Sequence, residues 1–247
     1  MKTPILEGRK ITKTYGGVLA LFRVDISLHA GEILGLIGPN GSGKTTLFNA
    51  LSRVISVDDG HIFFRGQDVT TMRPYQIARM GLARTFQVIR VYRKMTVLEN
   101  MLISRSWRNV RPWDLLKPSH HEAYRRAWEL LEFFHIAHLA HMPAGALSGG
   151  QRRLLELAMA SMPDPDVFLL DEAMSGINPT LIEQIKERII EMQEQHGKTF
   201  LLVEHNIQFI ADLCDRVVVL HQGQVLAEGT PAEIVDNDAV VEAYLGV

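Results

Sequence analysis

Apolar and polar positions along this chain change period several times, and each change marks an element. "ILEGRKITKTY" (5–15) and "LFRVDISLHAG" (21–31) alternate, as half-buried strands do. "EILGLIG" (32–38) is apolar almost throughout and ends on glycine, which predicts a buried strand. "GKTTLFNALSRV" (43–54) has helical spacing, and "GHIFFRGQDVT" (60–70) predicts a hairpin closed near Arg65 and Gly66. From 90 to 145 tryptophans, arginines and histidines fall in helical spacing, as in "HEAYRRAWELLEFFHIAHLA", so a mostly helical insertion is expected. "VFLL" (167–170), "TFLLV" (199–203) and "RVVVL" (216–220) are brief aliphatic runs divided by helical stretches such as "NPTLIEQIKERIIEMQEQHG". Strand–helix alternation of this kind argues for a parallel sheet covered on both faces. "HQGQVLAEG" is then a closing hairpin and "PAEIVDNDAVVEAYL" a helical tail. The class is α/β, with a mixed, mainly parallel sheet, an antiparallel β subdomain near the N-terminus and an inserted α-helical subdomain.

At 247 residues, 47% of them apolar, the chain suffices for one large domain. The expected division places the core at 1–89 and 160–247 and the helical part at 90–159. The single cysteine, Cys214, excludes an internal disulfide and a cysteine-based zinc site, and its setting in "IQFIADLC" predicts a small buried hydrophobe. The start "MKTPILEGRKI" lacks the apolar run of a secretory leader, and no apolar run reaches the ~18 residues of a membrane span. A soluble chain is expected, whose membrane role comes through a partner. The net charge of −2 hides an asymmetry: residues 65–126 hold thirteen Lys/Arg against four Asp/Glu. Scattered solvated arginines account for this, and so does a face turned toward something anionic.

"GPNGSGKT" (38–45) fits the phosphate-loop pattern between a predicted strand and a predicted helix, which implies a P-loop NTPase core. Gly38, Gly41 and Gly43 let the backbone bend so that its N–H groups converge on a phosphate. Lys44 bridges β- and γ-oxygens, and Thr45 offers its hydroxyl to Mg²⁺. Pro39, Asn40, Ser42 and Thr46 complete the candidate nucleotide-binding set.

"VFLLDE" ends a buried strand with Asp171 and Glu172, at the sheet edge where ligands sit. Successive side chains of a strand point to opposite sides, so the two acids take different roles. Asp171 is assigned to Mg²⁺ through water, and Glu172 to polarising an attacking water as general base. "LLVEHN" places His205 at the end of the neighbouring run, where an imidazole senses a γ-phosphate and orients the water.

"ALSGGQRRLLELAMA" (146–160) opens a second helix with a glycine turn, another place to hold an anion. One short chain with two phosphate grips resembles the ATP-binding subunits of ABC transporters. The likeness rests on the ordered motifs "GPNGSGKT", "RTFQ", "LSGGQ", "VFLLDE" and His205 and spans essentially the whole length. It implies that two chains pair head to tail, so that Ser148, Gly149, Gly150 and Gln151 of one grip the ATP held by Lys44 of the other. It implies too that Tyr15 stacks on adenine and that Gln87 touches the metal or water and links the site to the helical insertion. The chain departs from the family at Asn178, where an aspartate is common. That removes a charge from the expected dimer seam.

"FQVIRVYRKMTVLEN", "SGINPTL" and "EGTPAEIVDNDAVVEAYLG" resemble the branched-chain amino-acid uptake branch, which works beside a second ATPase. ATPases of lipopolysaccharide export and of urea or amide uptake are the near alternatives. The implied partners are two permease subunits, a second ATPase or a second copy, and indirectly a periplasmic binding protein, with the chain at the cytoplasmic face of the inner membrane. A permease helix is expected to dock in a groove around residues 88–105, near Arg90, Arg93 and Lys94. A non-transport ATPase acting on nucleic acid is the rival class. The sequence has neither the heptads, the second ATPase half nor the aromatic-basic pattern that would favour it. A module that binds ATP without hydrolysis is argued against by Glu172 and His205.

Overall fold

The structure is a computed structural model and describes residues 3–85, 91–105, 120–171, 178–204 and 207–245. Strands β1 (Pro4–Tyr15) and β2 (Val18–His29) form a long hairpin, followed by β3 (Ile33–Ile37) and helix α1 (Lys44–Leu51). β4 (Asp59–Phe64), β5 (Gln67–Asp68), α2 (Pro74–Met80) and β6 (Leu82–Arg84) come next. Helices α3 (Val97–Ile103), α4 (His120–Phe133) and α5 (Gly149–Ser161) occupy the region expected to be helical. Alternation then resumes with β7 (Val167–Asp171), α6 (Pro179–His196), β8 (Thr199–Val203), α7 (Ile207–Leu213), β9 (Arg216–His221) and β10 (Gln224–Gly229). Helices α8 (Pro231–Val235) and α9 (Asp238–Leu245) form the tail.

Two sheets result. One is antiparallel, in the order β2-β1-β4-β5; the other runs β10-β9-β3-β8-β7-β6. Strands β9, β3, β8, β7 and β6 are parallel, and β10 pairs antiparallel with β9. Each described hairpin turns through two residues of positive φ, Gly16-Gly17, Arg65-Gly66 and Gln222-Gly223, whose twist suits a tight hairpin.

Side-chain parity along the parallel strands divides the interior in two. Ile33, Ile37, Phe168, Leu170, Phe200, Leu202, Val217 and Val219 face the helices, with Phe168 stacked on Phe200 at 5.1 Å. Leu34, Leu36, Leu169, Leu201, Val203, Val218 and Leu220 face the other way, onto α1 and the antiparallel sheet. Both faces of the sheet are covered, as its continuous apolar runs require. One cover differs from the usual helical layer: among the described residues α1, with Ile77 of α2, packs between the two sheets. No helix of the described residues is long and apolar enough to cross a membrane.

Candidate nucleotide site

The phosphate loop runs from the end of β3 into α1, and its glycines do different work. A Cβ on Gly38, where φ is 149°, would lie 2.1 Å from the Leu220 carbonyl oxygen and 2.7 Å from Ser42 Oγ. Gly43, the N-cap of α1 at φ 103°, leaves a Cβ only 2.6 Å from the Ala20 carbonyl oxygen. Gly41 also needs positive φ, 79°, but a side chain there would meet nothing within 4 Å. Two glycines are thus set by close approach of backbone, and the third by conformation on an open side.

The loop is braced from behind. Gly223 N–H donates to the Ser42 carbonyl at 3.0 Å, and Phe22 N–H to the Gly223 carbonyl at 2.8 Å. Asn40, Gly41 and Thr45 remain exposed, with Pro39 and Thr46 half-buried. Lys44 is buried, and its Nζ donates to the carbonyls of Gly38 at 2.7 Å and Pro39 at 3.0 Å. The ammonium therefore lies folded along its own loop. Ser42 Oγ is buried with no hydrogen-bond partner among the described residues. The ladder of α1 begins with Leu47 N–H to Gly43 O at 2.9 Å, so the turn ahead of it carries the N–H groups a helix cannot satisfy itself. Helix-start N–H groups, a lysine and a spare hydroxyl are chemistry for an anion.

Asp171 ends β7, is 3% exposed, and shares the parity of Val167 and Leu169, which puts its carboxylate on the side of α1. Arg84, at the end of β6, brings Nη2 to 4.0 Å from that carboxylate. The same guanidinium lies 4.7 Å from the Phe48 ring centroid and donates to Ser52 Oγ at 2.6 Å. Arg84 thereby ties the Asp171 edge to α1, a role the sequence reading did not assign. The oxygen donors Thr45 and Asp171 suit a hard cation such as Mg²⁺, which takes few protein ligands and keeps waters. Among the described residues no cluster of three or more His, Cys, Asp or Glu could hold a metal by itself.

Tyr15 stands at the end of β1, half exposed, paired with Val18 across the hairpin. Ala20 of the same hairpin approaches Gly43, and the Tyr15 ring lies under Lys13 Nζ, 5.5 Å from its centroid. Gln87, Glu172, His205 and Arg90 lie outside the described residues.

The second grip forms the head of α5. Ser148 is the N-cap: its Oγ accepts from Gln151 N–H at 3.3 Å, and Gln151 Oε1 accepts from Ser148 N–H at 2.9 Å. Ser148 and Gly149 are exposed, and Gly150 is buried. Gly149 lies within the helix, and a Cβ placed on it meets nothing within 4 Å. Neither conformation nor space among the described residues calls for glycine there. Asn178 likewise caps α6, its side chain accepting from Thr180 N–H at 2.9 Å. Asparagine caps a helix as well as aspartate does, so the departure from the family pattern leaves the cap intact.

A mostly apolar groove of about 680 Å³ runs between α2, β6 and the 160–165 turn, with Val54, Tyr75, Ala78, Arg79, Leu82 and Arg105 among its walls. Among the described residues it meets the expected docking range 88–105 only at Arg105. Arg93 and Lys94 are exposed, on a turn that Asn100 fastens through bonds to Tyr92, Met95 and Thr96. Part of the basic excess is used internally, since Arg65 pairs with Asp166 and Arg126 with Asp164.

Comparison with known proteins agrees with this arrangement. A family model described as ABC transporter matches residues 21–175. The chain belongs to the ABC transporter family. A second model, described as branched-chain amino acid ATP-binding cassette transporter, matches residues 224–247 of this ABC cassette. A probable branched-chain amino acid transport ATP-binding protein LivG from Archaeoglobus fulgidus is 40% identical over 98% of the chain and 95% of its own length. The high-affinity LivG of Escherichia coli K12 is 37% identical over 100% of the chain and 99% of its own. A solved ABC cassette in its ADP conformation superposes with a TM-score of 0.89 at 35% identity, covering all of both chains. A nucleotide-free cassette gives the same TM-score at 34% identity, over 99% of this chain and 100% of that one. The ABC cassette described here is accordingly an ATP-binding, ATP-hydrolysing subunit.

Proposed function

We propose that this cassette drives an importer of branched-chain amino acids, working as one half of a head-to-tail pair. The observation that carries the cargo is the full-length similarity to branched-chain amino acid transport ATP-binding proteins, together with the matching tail at 224–247. Pairing is supported by Gly149, a glycine that nothing among the described residues of its own chain requires.

On this reading the N–H groups of residues 41–46 and the Lys44 ammonium take the β- and γ-phosphates. Lys44 exchanges the Gly38 and Pro39 carbonyls for phosphate oxygens, and Tyr15 stacks on adenine. Glu172 accepts a proton from the attacking water, and His205 orients that water toward the γ-phosphate. Thr45, Asp171 and Gln87 are the residues that would hold Mg²⁺, which when bound neutralises charge on the β- and γ-oxygens. Ser148, Gly149, Gly150 and Gln151 close on the partner's nucleotide. ATP thereby holds the pair shut, and hydrolysis releases it. The partner is a second copy or a related ATPase. Permease subunits supply the membrane path and a periplasmic binding protein feeds them. The cassette sits peripherally on the cytoplasmic face, binds no nucleic acid, and receives a permease helix around residues 88–105, which the groove beside α2 reaches at Arg105. The working division is a core of 1–89 and 160–247 with a helical part at 90–159.

The test has two arms. Glu172→Gln should bind ATP, lose turnover and accumulate an ATP-bound dimer in sedimentation velocity; hydrolysis at the parental rate removes Glu172 from the base role. Vesicles carrying the cassette with its permeases should take up labelled leucine in an ATP-dependent way. Uptake of a short-chain amide with leucine excluded overturns the cargo.

A further inference from the structure

The largest side chain sealed inside the described protein is charged. Arg153, one turn into α5, is 2% exposed. Among the described residues its guanidinium reaches a carboxylate and a backbone carbonyl. Nη1 meets the carboxylate of Glu156, one turn further along the same helix and itself buried. Nη2 donates to the backbone carbonyl of Asp171 at 3.1 Å.

The position of that carbonyl explains the bond. Thr85 N–H closes the ladder of β6 onto the Leu169 carbonyl at 2.9 Å. The Asp171 carbonyl, two residues on, points to the same edge but lies past the last β6 pair, Arg84 with Leu169. Arg153 therefore takes up the ladder where β6 ends. A buried ion pair is weak evidence for stability, because apolar replacement is often neutral or stabilising. What this one supplies is direction: Glu156 holds one arm of the planar fork, and another arm reaches β7. Lysine has a single ammonium and no fork to divide.

A rigid connection thus runs inside one chain, from the exposed Ser148–Gly150 turn through the first turns of α5 to the residue preceding Glu172. We infer that Arg153 is a positioning residue that couples the two nucleotide sites of the pair: seating of the 148–150 turn on the partner's nucleotide is relayed to the Asp171 edge of its own chain. The inference rests on the head-to-tail reading above.

Arg153→Lys keeps the charge and gives up the fork. Arg153→Met/Glu156→Met removes both buried charges at similar volume, which guards against simple unfolding. For each, the melting temperature, ATP affinity by calorimetry in EDTA, kcat and the Hill coefficient of hydrolysis are measured. The double variant should melt with the parent and bind ATP within about twofold, while kcat falls about tenfold or more and the Hill coefficient drops to about 1. Arg153→Lys should lose cooperativity in the same way, and decides alone if the double variant does not fold. A folded variant with parental kcat and Hill coefficient overturns the coupling. So does a fall in kcat with cooperativity intact, which would make Arg153 merely structural. If the parent hydrolyses ATP without cooperativity and at a specific rate independent of protein concentration, the head-to-tail reading fails first and the coupling with it.

Discussion

Ser148→Asp keeps one property of this side chain and reverses another. The serine caps α5 through a reciprocal pair of bonds with Gln151, at 3.3 and 2.9 Å. Aspartate accepts the same N–H, caps as well as serine, and its charge is welcome at a helix N-terminus. Loss of the cap, as in Ser148→Ala, costs about 1 kcal/mol. In a chain of this length that is a fall of about 2–4 °C in Tm. Ser148→Asp should instead melt within about 1 °C of the parent. Toward a phosphate the same carboxylate is repulsive. A unit charge about 4 Å from a γ-phosphate charge contributes about 4 kcal/mol of repulsion at an effective dielectric of 20. Closure of the pair should weaken about a thousandfold.

Three assays separate the two effects: a thermal melt, steady-state hydrolysis, and sedimentation velocity with ATP in the Glu172→Gln background. The expected result is an unchanged melt, hydrolysis near background and no ATP-dependent dimer. Parental turnover in a folded Ser148→Asp would show that the turn meets no phosphate. Gly149→Ala sharpens the same test, because the added methyl touches nothing within 4 Å of its own chain. A glycine-to-alanine change at a helical position stabilises by about 0.4–1 kcal/mol. Its Tm should rise while turnover falls, and a rise in both would refute the reasoning.

Three further outcomes follow from particular contacts. Gly38→Ala places a methyl 2.1 Å from the Leu220 carbonyl, which cannot yield without opening the sheet; a loss of about 2–3 kcal/mol and of ATP binding is expected in denaturant melts and calorimetry, and parental values in both would refute it. Tyr75→Glu in the groove wall, and separately Arg93→Glu with Lys94→Glu, should reduce co-purification with the permease while ATP affinity of the isolated subunit stays within about twofold; unchanged co-purification removes the docking site. Burial among Ile210 and Gly35 pushes the Cys214 thiol up from its ordinary pKa, so the folded chain keeps a proton that an unfolded thiol loses near pH 8.5. The stability this contributes is complete below about pH 8.5 and declines above it by up to about 1.4 kcal/mol per pH unit. Urea melts from pH 7 to 10 should show that slope flattened in Cys214→Ala, and equal slopes would discard the thiol as its source.

Period, turn chemistry and motif order made much of this fold legible in advance, because each is written within a few neighbouring residues. The alternation of 5–15 and 21–31, the apolar run before Gly38 and the three later aliphatic runs all became strands, with the hairpin turns at Arg65-Gly66 and Gln222-Gly223. Contacts between distant segments were not legible, since a one-dimensional pattern reports which face a residue takes and not what it meets there. Nothing local joins Arg65 to Asp166, Glu32 to Arg216, or Arg84 to Phe48 of α1 and its C-cap Ser52. The antiparallel sheet serving as one cover of the core also needed three dimensions, as did the groove walls.

Arg153 lies between these cases. Leu154, Leu157, Ala158 and Ser161 trace the buried stripe of α5, and Gly150 and Arg153 fall on it at the same spacing. An arginine on an apolar stripe, with a glutamate three residues later, cannot be buried alone, because an uncompensated charge there would be too costly. The spacing is present in "GGQRRLLELAMAS", but only the burial of Arg153 turns it into a demand for a partner on the helix and a further acceptor outside it, since one carboxylate cannot occupy all five guanidinium donors. The outside acceptor is the end of β7, the strand that carries Asp171. The sequence names neither that acceptor nor the direction of the bond; the fold supplies both, by bringing the first turns of α5 against the end of β7.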